Sequence, residues 1–221
     1  MRRRLYTEHK YVTHRLCEFG RLLAKADFAN DGGIQAATAG LQEIKDLLTG
    51  HAEHENAKIH RLLQQRQSTV HAAIEMEHAK HQASFEKMES ILSMLQAERQ
   101  SSAKIELGEQ LYRTFQEFEA KNALHQVAEE TRILPELYRL YSDEEILKGV
   151  DGPVYEEMGV DDMAGMIQTL APHFNIHDST GMLRDIYMTR PEKFHALWPL
   201  VKDCFNIPDQ AGMFNAIIGR Q

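Results

Sequence analysis

The chain has 221 residues, 26% of them charged and 43% hydrophobic, a balance that excludes a disordered or fibrous protein. Its net charge of −8 with histidine neutral argues against nucleic acid or an anionic membrane surface as the main partner. No stretch approaches the ~18 apolar residues of a membrane span. The basic start MRRRLYTEHK is not followed by the apolar run of a signal peptide, so a cytoplasmic protein is expected.

Helical periodicity dominates, and β-branched residues are too sparse for strands, so the predicted fold class is all-α. A first helix is predicted over about residues 4–27, with Leu16, Phe19, Leu22 and Leu23 at helical spacing. It ends before the loop signal Asn30-Asp31-Gly32-Gly33. A second runs from about 34 to 65 and passes through Gly50. A third covers about 68–99, with Ile74, His78, Phe85, Met88, Ile91 and Leu95 on or near one stripe. Ser101-Ser102 reads as a turn, and a fourth helix continues to about Tyr141, with Pro135 kinking or loosening its last turn.

Four long helices with short connections predict an up-down-up-down bundle over residues 1–141. A C-terminal helical extension, 142–221, opens at the helix-start signal Ser142-Asp143-Glu144-Glu145 and is interrupted at Gly149, Gly152 and Pro153. Shorter helices are predicted at about 160–173, 179–189, 191–205 and 208–218, with methionines as core filler. They are expected to pack against the bundle rather than form a unit of their own. The two cysteines, Cys17 and Cys204, give no disulfide framework and read as reduced, buried thiols.

The chain holds 12 histidines, about twice ordinary usage. HAEHENAKIH, residues 51–60, crowds three histidines and two glutamates into one helix. Residues four apart share a helix face, so His51 and Glu55 form an H-x-x-x-E pair on helix two. His125 and Glu129 form a second on helix four. Each is preceded by a lone histidine, His14 on helix one and His78 on helix three, which reads as an internal repeat. Two hairpins related by a pseudo-twofold axis would surround two ions with four imidazoles and two bridging carboxylates. Positions would stay open for an oxo or hydroxo bridge and an exogenous ligand. Imidazole and carboxylate without thiolate suit iron, manganese or zinc, and open positions favour iron.

Other candidates compete. His9 lies five residues before His14, hence on another face, and reads as frayed surface. His71 and Glu75 make a third H-x-x-x-E pair, about 10 Å along the helix from His78 and too far to bind the same ions. His54 could orient a ligand or relay protons. His81 could add a seventh ligand. His60 lies beyond the level of Glu55.

The residues THRL (13–16), KADFAND (25–31), HAEHE (51–55), EH (77–78), HQVAEETRILPEL (125–137) and YSDEEI (141–146) together resemble the hemerythrin-like proteins, the HHE cation-binding group. The resemblance covers roughly residues 9–147. It implies a four-helix bundle holding two non-haem iron ions, with Mn or Zn as substitutes, at His14, His51, Glu55, His78, His125 and Glu129. The oxygen-carrying hemerythrins place two histidines four apart on the third helix, whereas His78 and His81 are three apart. This chain is therefore closer to the branch with two H-x-x-x-E pairs. The resemblance implies binding of O₂, NO or peroxide, in sensing, detoxification or iron handling. The alternative is a non-catalytic, metal-stabilised helical module whose C-terminal helices receive a protein partner. A mononuclear zinc hydrolase is disfavoured by the absence of HExxH.

Overall fold

The computed structural model describes residues 5–219, which are all-helical, with no strand among them. No helix among the described residues is long and apolar enough to cross a membrane. The chain divides into two compact units: Val12–Glu136, and the segment up to Tyr11 combined with the segment from Leu137 onward. The boundary predicted at 141/142 thus moves to within a helix, and the first residues join the C-terminal unit.

In the first unit, α1 (His9–Lys25) presents Val12, Leu16, Phe19 and Leu23 to the core. The expected start at Arg4 lies outside the described residues. The turn that follows is built by Asp27, whose carboxylate accepts the Ala29 N–H at 3.1 Å. α2 (Asp31–His54) begins three residues earlier than predicted, with Gly32 and Gly33 in its first turn. At Gly33 a Cβ would stand 2.3 Å from the Asp27 carbonyl oxygen, so glycine is required by a close backbone approach.

Gly50 is carried without a break, but the helix does not stay α-helical. At Glu55–His60 it widens into a π-helical turn before ending in α3 (Arg61–Gln65). α4 (His71–Ala97) carries the predicted stripe: Ile74, Phe85, Met88, Ile91 and Leu95 are buried. The turn before the next helix lies at Glu98, whose carboxylate accepts the N–H groups of Arg99 and Gln100 at 2.7 and 2.8 Å. Ser101 therefore starts α5 (Ser101–Ala128) instead of interrupting it. A second π-helical turn, Glu129–Ile133, leads into α6 (Leu134–Leu140). The disturbance expected at Pro135 takes this form: proline lacks the N–H for its turn and crowds the carbonyl four residues back, and a wider turn relieves both.

The apolar core of this unit joins α1, α2, α4 and α5 through Phe19, Leu41, Ile44, Met88, Leu95, Leu111 and Phe115. Phe19 meets Phe115 edge-on at 4.8 Å, and Phe85 lies 4.9 Å from Phe118. Burying aromatic and aliphatic side chains at about 25 cal/mol per Å² drives this assembly. The core stops abruptly. Leu48 on α2, Phe85 on α4 and Phe118 on α5 are its last layer; Leu48 and Phe85 give way to His51 and His81 within about one helical turn, and Phe118 to His125 about two turns on.

The second unit has a core of its own. α7 (Asp143–Gly149) starts at Ser142 in a reciprocal capping arrangement with Glu145. α8 (Asp151–Glu157) takes Gly152 and Pro153 into its first turn, where a missing N–H costs nothing. α9 (Val160–Leu170), α10 (Ile176–Thr189), α11 (Pro191–Val201) and α12 (Ile207–Ile218) follow. Met163, Ile167, Leu183, Ile186, Phe194, Leu197, Met213 and Ile217 bury one another between these helices. A sequence reading cannot tell a stripe that faces a neighbouring bundle from one that faces its own kind. Cys17 and Cys204 are exposed free thiols rather than buried ones.

Candidate metal centre

Five of the six predicted ligands converge within the first unit. Glu55 and Glu129 each open a π-helical turn, and each is completely buried. His51 Nε2 lies 3.3 Å from Glu55 Oε1, and His78 Nε2 lies 3.3 Å from Glu55 Oε2. The two oxygens of one carboxylate therefore face two different imidazoles. Glu129 Oε1 lies 3.0 Å from His125 Nε2 and 3.7 Å from His78 Nε2. The two imidazole nitrogens stand 3.1 Å apart.

These separations would fit donor atoms around an ion. With metal–ligand bonds of ~2.1 Å, neighbouring donor atoms lie ~3.0–3.4 Å apart. Glu55, His78, His125 and Glu129 offer atoms that all lie within 4.8 Å of one another, and so do His51, Glu55 and Glu129. Both groupings use the same two carboxylates. These buried histidines and glutamates could hold a metal ion.

The electrostatics show what the site does without one. Burial pushes the His78 imidazole down, but the Glu129 and Glu55 carboxylates outweigh it and raise its pKa to about 9. His125 is likewise opposed by burial and raised by Glu129 and Glu77. Protons thus balance the buried carboxylates where a cation would. His81 goes the other way, to about 4, pushed down by burial and then by the charges of His125 and His78. Its ring stands 4.7 Å from His125 and 5.4 Å from Phe118.

Glu77 was missed by sequence reasoning. Its carboxylate accepts from His125 Nδ1 at 2.9 Å, which turns Nε2 toward the centre and raises its basicity. The only signal was its place beside His78 in the EH pair. His60 is also fully buried, its ring stacked on His78 at 6.0 Å and 13°.

The structure does not bring His14 to this centre. Its side chain is 43% exposed and its Nε2 lies 3.3 Å from Glu18. The reason is helical phase: the buried stripe of α1 runs 9, 12, 16, 19, 23, and position 14 falls off it. His9, expected to be frayed surface, is buried, with Tyr6 stacked on it at 4.8 Å.

A cavity of about 160 Å³ adjoins the ligands. His78 and His125 line it with Leu48 and Phe85, and so do Asn122 and Gln126, one turn apart on α5. The Gln126 carbonyl accepts from Thr13 Oγ1 at 3.1 Å. Its amide nitrogen and that of Asn122 are buried and meet no acceptor among the described residues. Compared with known protein families, curated proteins and solved structures, the chain matches none.

Proposed function

We propose that this chain is a hemerythrin-like, non-haem di-iron protein whose α1, α2, α4 and α5 form an up-down-up-down bundle. It binds O₂, NO or peroxide, in sensing, detoxification or iron handling. The observation that carries this reading is the sharing of Glu55 and Glu129 between two overlapping ligand groupings. One ion needs one carboxylate and two or three imidazoles. Two carboxylates common to both groupings are the arrangement of a bridged pair.

A ferrous pair would supply the electrons that a bound diatomic or peroxide accepts. The chain supplies the rest. Glu55, Glu129, His51, His78 and His125 would hold the ions. Glu77 holds the His125 proton at Nδ1, so that Nε2 carries the lone pair. Leu48 and Phe85 limit water in the cavity, and the amide nitrogens of Asn122 and Gln126 offer hydrogen bonds to a ligand with lone pairs. A cavity of about 160 Å³ leaves room beside the ligands for a small exogenous molecule such as a diatomic or peroxide.

The test is anaerobic loading with ferrous iron, metal counting, and exposure to air in a UV-visible spectrometer. About two irons per chain, with near-ultraviolet charge-transfer bands of a ferric pair, are expected. Uptake of a single zinc, or no iron and a spectrum indifferent to air, would sink the reading.

A further inference from the structure

The cavity beside His78 and His125 has two unlike ends. From α2 and α4 it is lined by Thr49, Glu53, Asn56 and Gln82, which are exposed, so this side is its mouth. From α5 it is lined by Asn122, His125 and Gln126, which are all buried. Residues three and four apart share a helix face, so both carboxamides flank His125 at the closed end.

The second observation is an unmet hydrogen-bonding demand. Asn122 is 2% exposed and Gln126 8%, and neither side-chain nitrogen meets an acceptor among the described residues. Thr13 Oγ1 donates to the Gln126 carbonyl at 3.1 Å, which ties the oxygen edge of that amide to α1 and leaves the NH₂ edge to the cavity. Buried N–H groups are rarely left unpaired, because their lost hydration is then not replaced. Two such donors beside His125 call for an acceptor that enters through the cavity. The lining offers no carboxylate for them at that end: among the described residues Glu53 is its one acidic side chain, and it stands exposed at the mouth.

We propose that Asn122 and Gln126 form an acceptor subsite that selects small anions, such as hydroperoxide, as the exogenous ligand of this centre. A hydrogen bond from an amide to an ionised acceptor is about twice as strong as one to a neutral acceptor. Of the ligands named above, the subsite therefore favours peroxide over O₂ and NO. The role beside the ions rests on the metal-centre reading above; the two buried donors do not depend on it.

The experiment uses the full chain and azide as the anion. In the metal-free protein, azide should shift the side-chain amide NMR signals of Asn122 and Gln126, assigned by their loss in Asn122→Leu and Gln126→Met. Both substitutions roughly keep the volume and remove the donor. In the iron-loaded protein each should weaken azide binding about tenfold, and the two together about 100-fold, with iron content unchanged. The azide infrared stretch, which a hydrogen bond displaces and a looser fit does not, should move in each variant. Equal azide affinity in wild type and both variants, or weaker binding with an unmoved stretch, overturns the subsite and leaves the metal centre standing. If wild type takes up no iron, the metal-centre reading falls and the amide signals decide alone: azide-induced shifts keep the subsite, and their absence overturns it too. The two substitutions are read separately, so a variant that fails to fold leaves the other to decide.

Discussion

The two H-x-x-x-E segments end alike and continue differently. Both carboxylates stand at the first residue of a π-helical turn, Glu55–His60 and Glu129–Ile133. After the second comes Leu134-Pro135, and proline explains the widened turn. After the first come Arg61 and Leu62, with no proline to account for it. The same deformation with and without its usual cause implies that the ligand position, not the proline, is what the repeat retains. A π turn also stacks residues five apart. In the first segment the residue five beyond Glu55 is His60, fully buried with its ring stacked on that of His78. In the second the corresponding residue is Leu134, and the segment ends in packing.

The largest effect that tests this comparison is loss of a shared carboxylate. If the proposed pair of ions is held there, Glu129→Gln and Glu55→Gln should each lower affinity for both, by more than about 100-fold, because each carboxylate belongs to both groupings. Metal counting at equal free Fe²⁺ reads it. Loss of one ion in one variant and of the other in its counterpart would show two independent half-sites instead. Glu77→Gln tests the half at His125 alone: affinity should fall about 10–100-fold while the count at saturation stays the same.

Acidity comes next in size. His78 must give up its proton to become a ligand, and in the metal-free protein its pKa stands at about 9. Affinity should therefore rise with pH up to about 9, with protons released on loading. The stability of the metal-free protein should run the other way. A folded pKa raised above the unfolded value stabilises fully below that unfolded value, here about 6.5. That contribution is lost as pH rises through about 9. Melting temperatures from pH 6 to 9 should fall for the metal-free chain more than for the loaded one.

Pro135→Ala separates the two π turns directly. If the ligand position retains the deformation, Glu129 stays in place and iron affinity changes by less than about tenfold. The α6 junction should gain roughly 1 kcal/mol or less, since proline's cost has already been relieved by the wider turn. If Pro135 alone holds the turn open, the helix reverts to α, Glu129 rotates away, and the variant behaves like Glu129→Gln.

The parts of this molecule that follow a regular period were legible in the sequence. The stripe of α4 and the pairs His51/Glu55 and His125/Glu129 come from 3.6-residue counting. What counting missed lies where the period breaks or where a partner comes from another helix. His60 counts as lying beyond the level of Glu55 on a regular helix, but the π turn Glu55–His60 changes the local repeat and His60 is fully buried. Glu77 acts across helices, on His125, and no spacing on its own helix marks it. The C-terminal helices show a different limit: their stripes were visible, but what those stripes pack against was not.

His14 is the smallest and cleanest case. The lone histidine before each H-x-x-x-E pair makes it formally equivalent to His78, but the phase of α1, not the symmetry of the repeat, sets its direction. Its neighbours decide otherwise: Val12 and Leu16 are buried on one face, and His14 faces Glu18 on another, with 43% of its side chain exposed. His14→Ala should leave iron count and affinity unchanged and shift stability by no more than about 0.5 kcal/mol, the scale of an exposed pair. A fall in iron count would mean that α1 turns in the loaded protein. The buried stripe 9, 12, 16, 19, 23 would then have to give up Phe19 from its contact with Phe115, a cost that metal binding would have to exceed.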